Sequence, residues 1–111
     1  MCVAQTQGAV QMGCGAALRE QYTFSPDGRG VGSLSKYHLM NAPDLPEIQV
    51  ELIQDGRSEE GPFGAKSIGE IGLVPVAAAV CNAVNRALDS DLEILPMDPD
   101  RILAYLAKEG R

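Results

Sequence analysis

The chain has 111 residues, with 9 basic and 15 acidic side chains and a formal net charge of −6. Nucleic-acid binding requires a basic face for the phosphates, and no basic cluster occurs, so we expect no nucleic-acid partner. The longest apolar run, residues 71–81, contains Pro75 and is shorter than the ~20 residues that span a bilayer, so no membrane segment is expected. A chain of this length forms one domain at most.

Cysteine and histidine usage restricts the kinds of metal and redox site. The three cysteines, Cys2, Cys14 and Cys81, show no Cys-x-x-Cys spacing and leave one thiol over. This pattern disfavours iron–sulfur, zinc and disulfide frameworks. His38 is the single histidine, so a site built from several histidines is impossible and a turn or packing role is expected. Because no signal-peptide pattern is visible, the sequence predicts a cytoplasmic protein.

The N-terminal half predicts one helix and two strands. Residues Thr6–Gln21 carry apolar residues at four-residue spacing, which favours a helix, and the glycines within it indicate close packing or approach to a ligand. Glu20–Phe24 alternates as a short strand and is followed by the turn sequence Ser-Pro-Asp-Gly at residues 25–28. Residues 29–45 have no sustained period, and Asn41–Pro46 is predicted to be an irregular loop. Glu47–Gln54 alternates cleanly, as a half-buried strand does.

The C-terminal half predicts two helices and one strand. A polar connector, Asp55–Pro62, leads into a glycine-rich loop. Val74–Leu88 carries one apolar helical face, which includes Val76 or Ala77, Val80, Val84 and Leu88. A short strand is predicted at Leu92–Leu95. Asp98, just ahead of Pro99, is predicted to cap a last helix.

The loop at residues 61–70, Gly-Pro-Phe-Gly-Ala-Lys-Ser-Ile-Gly-Glu, ends in a single carboxylate. Gly69 and Gly72 lie on either side of Glu70 and let the backbone approach a ligand closely. A carboxylate in such a loop is a candidate general base. From the residues alone, the favoured interpretation of Glu70 is a carboxylate stabilised by the dipole of the helix that follows it.

This loop resembles the Gly-Ala-Lys-Gly-Val-Gly-Glu signature of the xanthine dehydrogenase and aldehyde oxidase family of molybdenum hydroxylases, with Ser67 in place of a glycine. Residues 5–15 are similar to the family's Gly-Gln-Val-Glu-Gly segment, although Ala4 and Gln7 depart from it. Residues 37–46 are similar to its Tyr-x-Ile-Pro block. Residues 91–103 are similar to its closing strand, Leu-Pro pair and capped helix.

The resemblance implies an α+β fold in which helices pack with short strands, as the C-terminal segment of a molybdopterin-binding domain. Residues 1–111 would then be a single partial domain. It implies molybdopterin, as the cytosine dinucleotide, with iron–sulfur groups and FAD held elsewhere, and the hydroxylation of a purine, another N-heterocycle or an aldehyde by water. In this interpretation Glu70 is the catalytic base, and the cofactor-binding residues are Gln5, Ala65, Lys66, Ser67 and Gly69.

Several alternatives remain. Gln5 could be an exposed residue near a frayed end, and Lys66 could make a structural hydrogen bond or bind a substrate anion. Ser67 could be a backbone-packing position. The chain as a whole could be a cofactor-free interaction module or, less in keeping with the motifs, a small phosphate-binding protein. The glycines form no dinucleotide-binding pattern.

The resemblance also sets expectations for partners. These are the remainder of the molybdopterin subunit and the iron–sulfur and flavin subunits or domains. In isolation the chain is expected to self-associate, to bind no cofactor and to be inactive, because one wall of a site cannot offset the cost of ordering a large cofactor. The substrate cannot be read from these residues.

Overall fold

The computed structural model describes residues 1–54, 56 and 59–110. Part of the predicted connector at residues 55–62 lies outside the described residues. Within the described ranges, no helix has the length and apolar character that crossing a bilayer demands. The elements in chain order are α1 Cys2–Leu18, β1 Thr23–Phe24, β2 Gly30–Val31, α2 Val76–Leu88 and α3 Pro99–Lys108, with 3₁₀ turns at Leu34–Lys36, Ala42–Asp44 and Pro62–Gly64.

Helix α1 starts four residues before the predicted Thr6 and ends three residues before the predicted Gln21. Its buried positions are small residues, Ala9, Gly13, Gly15 and Ala17. The predicted stripe of larger residues at 10, 14 and 18 is only half-buried. A helix whose buried face is made of glycine and alanine permits a neighbouring helix to approach closely, and α2 occupies that position.

Helix α1 approaches α2 closely at Gly13. A Cβ atom placed there would overlap Val76 Cβ and lie 2.6 Å from Val76 Cγ1. Gly13 is therefore required by packing, as the glycine content of the sequence suggested. Helix α2 begins at Val76, two residues after the predicted start, and ends at the predicted Leu88. Its predicted apolar face is confirmed, because Val76 is buried while Ala78 and Ala79 are exposed.

The predicted strand Glu20–Phe24 shrinks to two residues, Thr23–Phe24, which pair antiparallel with Gly30–Val31. The predicted turn between them is confirmed, with a 2.9 Å hydrogen bond from the Gly28 N–H to the Ser25 carbonyl. Among the described elements, only α1 with α2 and β1 with β2 are in contact. The expectation that helices pack with short strands is therefore wrong for this hairpin, and the described chain is mostly helical.

Two predicted strands do not form. Glu47–Gln54 pairs with no other strand in the described part of the chain, because alternation supplies a strand's two faces but not its neighbour. Leu92–Leu95 is also irregular, for a different reason. The Asn85 amide donates to the Leu92 carbonyl at 3.0 Å, and its Oδ1 accepts the Leu92 N–H at 2.9 Å, so this side chain takes the place of a partner strand.

Helix α3 has the predicted N-cap. The Asp98 carboxylate accepts the Arg101 N–H at 2.9 Å, and Pro99 occupies the first turn. The Arg101 guanidinium then donates to the Leu95 carbonyl at 2.6 Å and to Gln21 Oε1 at 2.7 Å. These bonds tie α3 to the segment that follows α1. The loop predicted at Asn41–Pro46 contains the 3₁₀ turn Ala42–Asp44.

We expect Asn85→Ala to destabilise the chain by about 2–3 kcal/mol, from three hydrogen bonds worth about 1 kcal/mol each. The third is the bond from Ser90 Oγ to Asn85 Oδ1, at 3.0 Å. Asn82→Ala, on the exposed side of the same helix, is the matched control and should change stability by less than about 0.5 kcal/mol. Urea unfolding measures both. Equal losses in the two variants would contradict the role assigned to Asn85.

The described chain is extended for its length. Its radius of gyration is 17.9 Å, whereas a compact domain of this length has about 13 Å. Its accessible surface is 8871 Å², against about 5,900 Å² for a compact monomer of this mass. Large apolar side chains such as Leu34, Phe63 and Val74 are at least 80% exposed. The small core, around Ala17 and Met97, leaves much apolar surface uncovered.

Candidate functional site

The glycine-rich loop begins with a tight turn. The Gly64 N–H donates to the Gly61 carbonyl at 3.4 Å, and the Ala65 N–H donates to the Pro62 carbonyl at 3.1 Å. Phe63, at the centre of this turn, has a left-handed φ of 57° and a fully exposed ring. After the turn the backbone becomes extended at Ala65, with φ −72° and ψ 141°. The turn thus sets the direction in which residues 65–70 leave it.

The first turns of α1 hold the far end of this loop. The Gln5 side-chain Nε2 donates to the backbone carbonyl of Gly69 at 2.9 Å, across 64 positions of sequence. Gly69 is the residue directly before Glu70. Gln5 lies in the first turn of α1, where its side chain is exposed and makes this hydrogen bond.

A second contact lies on the other side of Glu70. A Cβ atom at Gly72 would be 3.2 Å from Ala9 Cβ and 3.8 Å from Thr6 Cγ2, so the backbone at Gly72 rests directly on α1. Glu70 is therefore placed between two points of contact with the same helix. Thr6 and Ala9 were not identified from the sequence as supports of the loop. Thr6 and Ala9 lie near Gln5 on the same helix, but this spacing suggests a supporting role only when the loop is already known to lie against α1.

Glu70 itself is exposed, and its carbonyl accepts the Leu73 N–H at 3.0 Å. Residues 71–75 form turns, and α2 begins only at Val76, with no acidic residue in its first turn. A helix dipole acts mainly within the first turn. Stabilisation by the dipole of α2 is therefore a weak explanation for a carboxylate at this position.

The remaining predicted site residues lie in the same loop. Ser67 Oγ accepts the Gly69 N–H at 3.4 Å, which links Ser67 to the residue held by Gln5. Ala65 is bonded within its own turn and, like Lys66 and Ser67, is exposed. The structure thus joins Gln5, Ser67 and Gly69 by hydrogen bonds directly beside Glu70. In the described part of the chain, no group of three or more His, Cys, Asp or Glu side chains could hold a metal ion.

Two further glutamines of α1, Gln7 and Gln11, make long-range hydrogen bonds that the sequence did not predict. Gln7 Nε2 donates to the Ile48 carbonyl at 3.1 Å, and Gln11 Nε2 donates to the Met40 carbonyl at 2.8 Å. Their four-residue spacing places them on one face of the helix. Together they hold the segment after the hairpin against α1, around a groove of about 400 Å³.

A larger groove, of about 610 Å³, lies away from the loop and has no loop residue in its lining. His38 lines it, is exposed and has a left-handed φ of 57°. Arg19, also in the lining, forms an ion pair with Asp44 at 3.1 Å. A hydrogen bond to the Glu20 carboxylate, with its negative charge, raises the pKa of the Tyr37 hydroxyl.

We expect Gln5→Ala to loosen the loop without unfolding the chain, because the lost hydrogen bond is exposed and worth about 1 kcal/mol. Hydrogen exchange at Gly69 and Glu70 should rise about fivefold, while exchange within α2 stays unchanged. Gln54→Ala, an exposed glutamine outside α1, is the matched control. Unaltered exchange at Gly69 in the Gln5 variant would show that this bond does not hold the loop.

Comparison with known proteins identifies relatives along most of the chain. No protein-family model matches it. It is 33% identical over 103 residues to the gamma subunit of the 6-hydroxypseudooxynicotine dehydrogenase complex of Paenarthrobacter nicotinovorans, which covers 90% of this chain and 13% of that protein. It is 33% identical over 100 residues to the putative xanthine dehydrogenase molybdenum-binding subunit of Escherichia coli K12. This match covers 88% of this chain and 13% of that protein.

A third relative is the aldehyde oxidoreductase molybdenum-binding subunit of the same organism, at 33% identity over 106 residues, covering 93% of this chain and 14% of the relative. The chain thus spans about an eighth of the length of these relatives. The matches include Glu70, since a match over about nine-tenths of the chain must contain its middle. The chain therefore matches one segment of the molybdenum-binding subunits of the xanthine dehydrogenase and aldehyde oxidase family.

Proposed function

We propose that this chain supplies the catalytic glutamate and part of the molybdopterin-binding wall of a molybdenum hydroxylase. Such an enzyme would hydroxylate a purine, another N-heterocycle or an aldehyde with oxygen from water. The observation that supports this most directly is the 2.9 Å hydrogen bond from Gln5 to Gly69. It brings the two segments that resemble the family's cofactor-binding motifs together beside Glu70, although 64 positions of sequence separate them.

The residues present have the chemistry that one wall of a pterin site needs. With Nε2 engaged by Gly69, the Oε1 of Gln5 remains an acceptor for a pterin N–H group. A Cβ atom at Gly69 would meet only Ser67 Oγ, at 3.8 Å, so a flat ligand can approach the backbone there. Ser67 and Lys66 are exposed in the same loop and can donate to pterin or phosphate oxygens. Ala65 leaves the adjoining backbone uncovered.

In this proposal, the bound cofactor provides the oxidising metal centre that receives the substrate's electrons. The task of this chain is proton transfer. The Glu70 carboxylate accepts a proton as the water-derived oxygen bonds to the substrate carbon, which keeps that oxygen nucleophilic. The Gln5 bond on one side and the Gly72 contact on the other restrict where the carboxylate can lie. Restricting a base in this way lowers the entropy cost of reaching the reactive geometry.

The finer assignments belong to the same proposal. The cofactor would be the cytosine dinucleotide form, and iron–sulfur and FAD groups would be carried by other domains or subunits. The remainder of the molybdenum-binding subunit would be the main partner, and the setting would be cytoplasmic. The name of the first relative, a subunit of a dehydrogenase complex, supports a multi-subunit arrangement for this chain.

A second candidate is a cofactor-free interaction module. The observation that favours it is the uncovered surface of the chain, 8871 Å² in place of the ~5,900 Å² of a compact monomer. Both candidates need a partner surface. Only the molybdenum hydroxylase proposal explains why Glu70 lies between two contacts with α1.

Metal analysis separates the two candidates. We expect the isolated chain to bind no molybdenum and to turn over neither xanthine nor an aldehyde with a dye acceptor. A complete molybdenum-binding subunit that contains this segment should bind one molybdenum and be active. Stoichiometric molybdenum on the isolated chain would overturn the proposal that it forms only one wall. A complete subunit without molybdenum would favour the interaction module.

A further inference from the structure

Gly69, directly before Glu70, lies in a part of the loop that has no regular secondary structure. Residues 65–68 are irregular, and residues 69–70 form a bend. The φ of Gly69 is not left-handed, and a Cβ atom there would meet only Ser67 Oγ, at 3.8 Å. Glycine has a wider range of φ and ψ than any other residue. The backbone can therefore turn at Gly69 unless other groups hold it.

Two side chains hold Gly69, one on each side of its Cα atom. The Gly69 carbonyl, which belongs to the peptide group shared with Glu70, accepts from Gln5 Nε2 at 2.9 Å. The Gly69 N–H, which belongs to the peptide group shared with Ile68, donates to Ser67 Oγ at 3.4 Å. Because each peptide group is planar, these two bonds restrain both planes that meet at Gly69. Among the described residues, no backbone–backbone hydrogen bond involves Gly69.

The bond to the Gly69 N–H depends on the Ser67 side chain. A serine hydroxyl that accepts the N–H two residues further along forms a local turn of a common kind. The family signature that this loop resembles has a glycine at position 67, and glycine has no side-chain acceptor. Ser67 thus adds a restraint that the signature itself lacks. Since the oxygen is the acceptor in this bond, the hydroxyl proton remains able to donate to a ligand.

We propose that Ser67 is a positioning residue for Glu70. Its hydroxyl holds one peptide plane beside Gly69 and the Gln5 amide holds the other, so the backbone enters Glu70 in one direction. Loss of either bond lets the chain turn at Gly69 and widens the range of positions open to the carboxylate. A base that spends less time in the reactive geometry transfers protons more slowly. This inference rests on the proposed function, in which Glu70 is the base.

The positioning role differs from simple cofactor contact in what it requires. The bond between Ser67 and Gly69 lies within the loop, so it should restrain the loop before any cofactor binds. A serine that served only as a donor to the cofactor would leave the cofactor-free loop unchanged when it is removed. It would lower cofactor content instead.

Hydrogen exchange in a complete molybdenum-binding subunit that contains this segment, prepared without cofactor, tests the bond itself. We expect Ser67→Ala to raise exchange at the Gly69 N–H about two- to tenfold, the range that one net hydrogen bond corresponds to. Ser67→Thr keeps the hydroxyl and should restore slow exchange. Ser35→Ala is the matched control, because Ser35 is exposed and its hydroxyl also bonds across two positions, to Ser33, outside the loop. Unchanged exchange at Gly69 in Ser67→Ala would overturn the proposal.

Steady-state kinetics of the cofactor-loaded subunit test the consequence. With rates expressed per molybdenum, Ser67→Ala should lower kcat about two- to tenfold and leave the KM for the substrate within about twofold. Molybdenum content should stay the same, and Ser67→Thr should recover most of the lost rate. Ser35→Ala should behave as the unmodified enzyme does. A normal kcat in Ser67→Ala, or a fall in molybdenum content alone, would overturn the positioning role.

Combining Gln5→Ala with Ser67→Ala tests whether both side chains act on the same residue. Once one plane beside Gly69 is released, release of the second adds little, so the combined loss of kcat should be smaller than the product of the single losses. A full product would overturn the shared action at Gly69. Glu70→Gln in the same subunit separates the two proposals. Near-normal turnover there removes the proposed function and this inference together, whereas a large loss there with a normal kcat in Ser67→Ala overturns only the positioning role.

Discussion

Turnover of a complete molybdenum enzyme that contains this segment should fall by at least ~10²-fold when Glu70 is changed to Gln. The substitution keeps the size of the side chain and most of its hydrogen-bonding capacity but removes the base. Because Glu70 is exposed and α1 holds the loop on either side of it, the fold and the molybdenum content should survive. Steady-state rates with a dye acceptor, together with metal analysis of the same preparation, measure the two effects separately.

The control for this experiment is Glu93→Gln, which removes another exposed carboxylate outside the loop. It should leave turnover within about twofold. If Glu70 served only the dipole of α2, Glu70→Gln would cost about 0.3–1 kcal/mol of stability and leave the rate nearly unchanged. Near-normal turnover with full molybdenum loading would therefore remove Glu70 from the catalytic role.

The second large effect concerns the α1–α2 contact. We expect Gly13→Ala to be less stable than Gly8→Ala by about 1–3 kcal/mol, the usual cost of overpacking a closely packed site. Both substitutions gain about the same helix propensity, and a Cβ atom at Gly8 meets nothing within 4 Å. At Gly13 the same atom would overlap Val76, so α2 must move away. Urea unfolding of the two variants isolates the packing cost.

Combining Gly13→Ala with Val76→Gly provides the check on this mechanism. Because Val76→Gly removes the Cβ and Cγ atoms that the new methyl group would overlap, the double variant should lose less stability than the two single variants added together. Additive losses would show that the cost at Gly13 does not come from Val76. The destabilised Gly13→Ala chain should also show faster hydrogen exchange at Gly69, since the loop rests on the same helix.

Features decided by neighbouring residues could be predicted from the sequence. The cap of α3 needs only Asp98, Pro99 and the N–H of Arg101, and all three act within one turn. The turn at residues 25–28 is similarly local. The apolar face of α2 follows from spacing alone, because it depends on which residues share one side of a helix.

Features that depend on distant residues could not be predicted in this way. The alternation of residues 47–54 is real, but a strand also requires a partner, and the described chain provides none. At Leu92, the side-chain amide of Asn85, seven residues earlier, bonds the backbone N–H and carbonyl in place of a partner strand. The bond between Gln5 and Gly69 joins two motifs that the resemblance identified separately, and no local pattern predicts their contact.

The support of the loop by α1 has a consequence for how the chain can vary. Both points that restrict Glu70 lie on residues 5–9, and the intervening hairpin contacts neither α1 nor α2 as an element. Residues 20–35 can therefore change in length or composition without moving the carboxylate. Insertions there would alter the outer surface of the molecule, and with it the choice of neighbours, while the geometry around Glu70 stays the same.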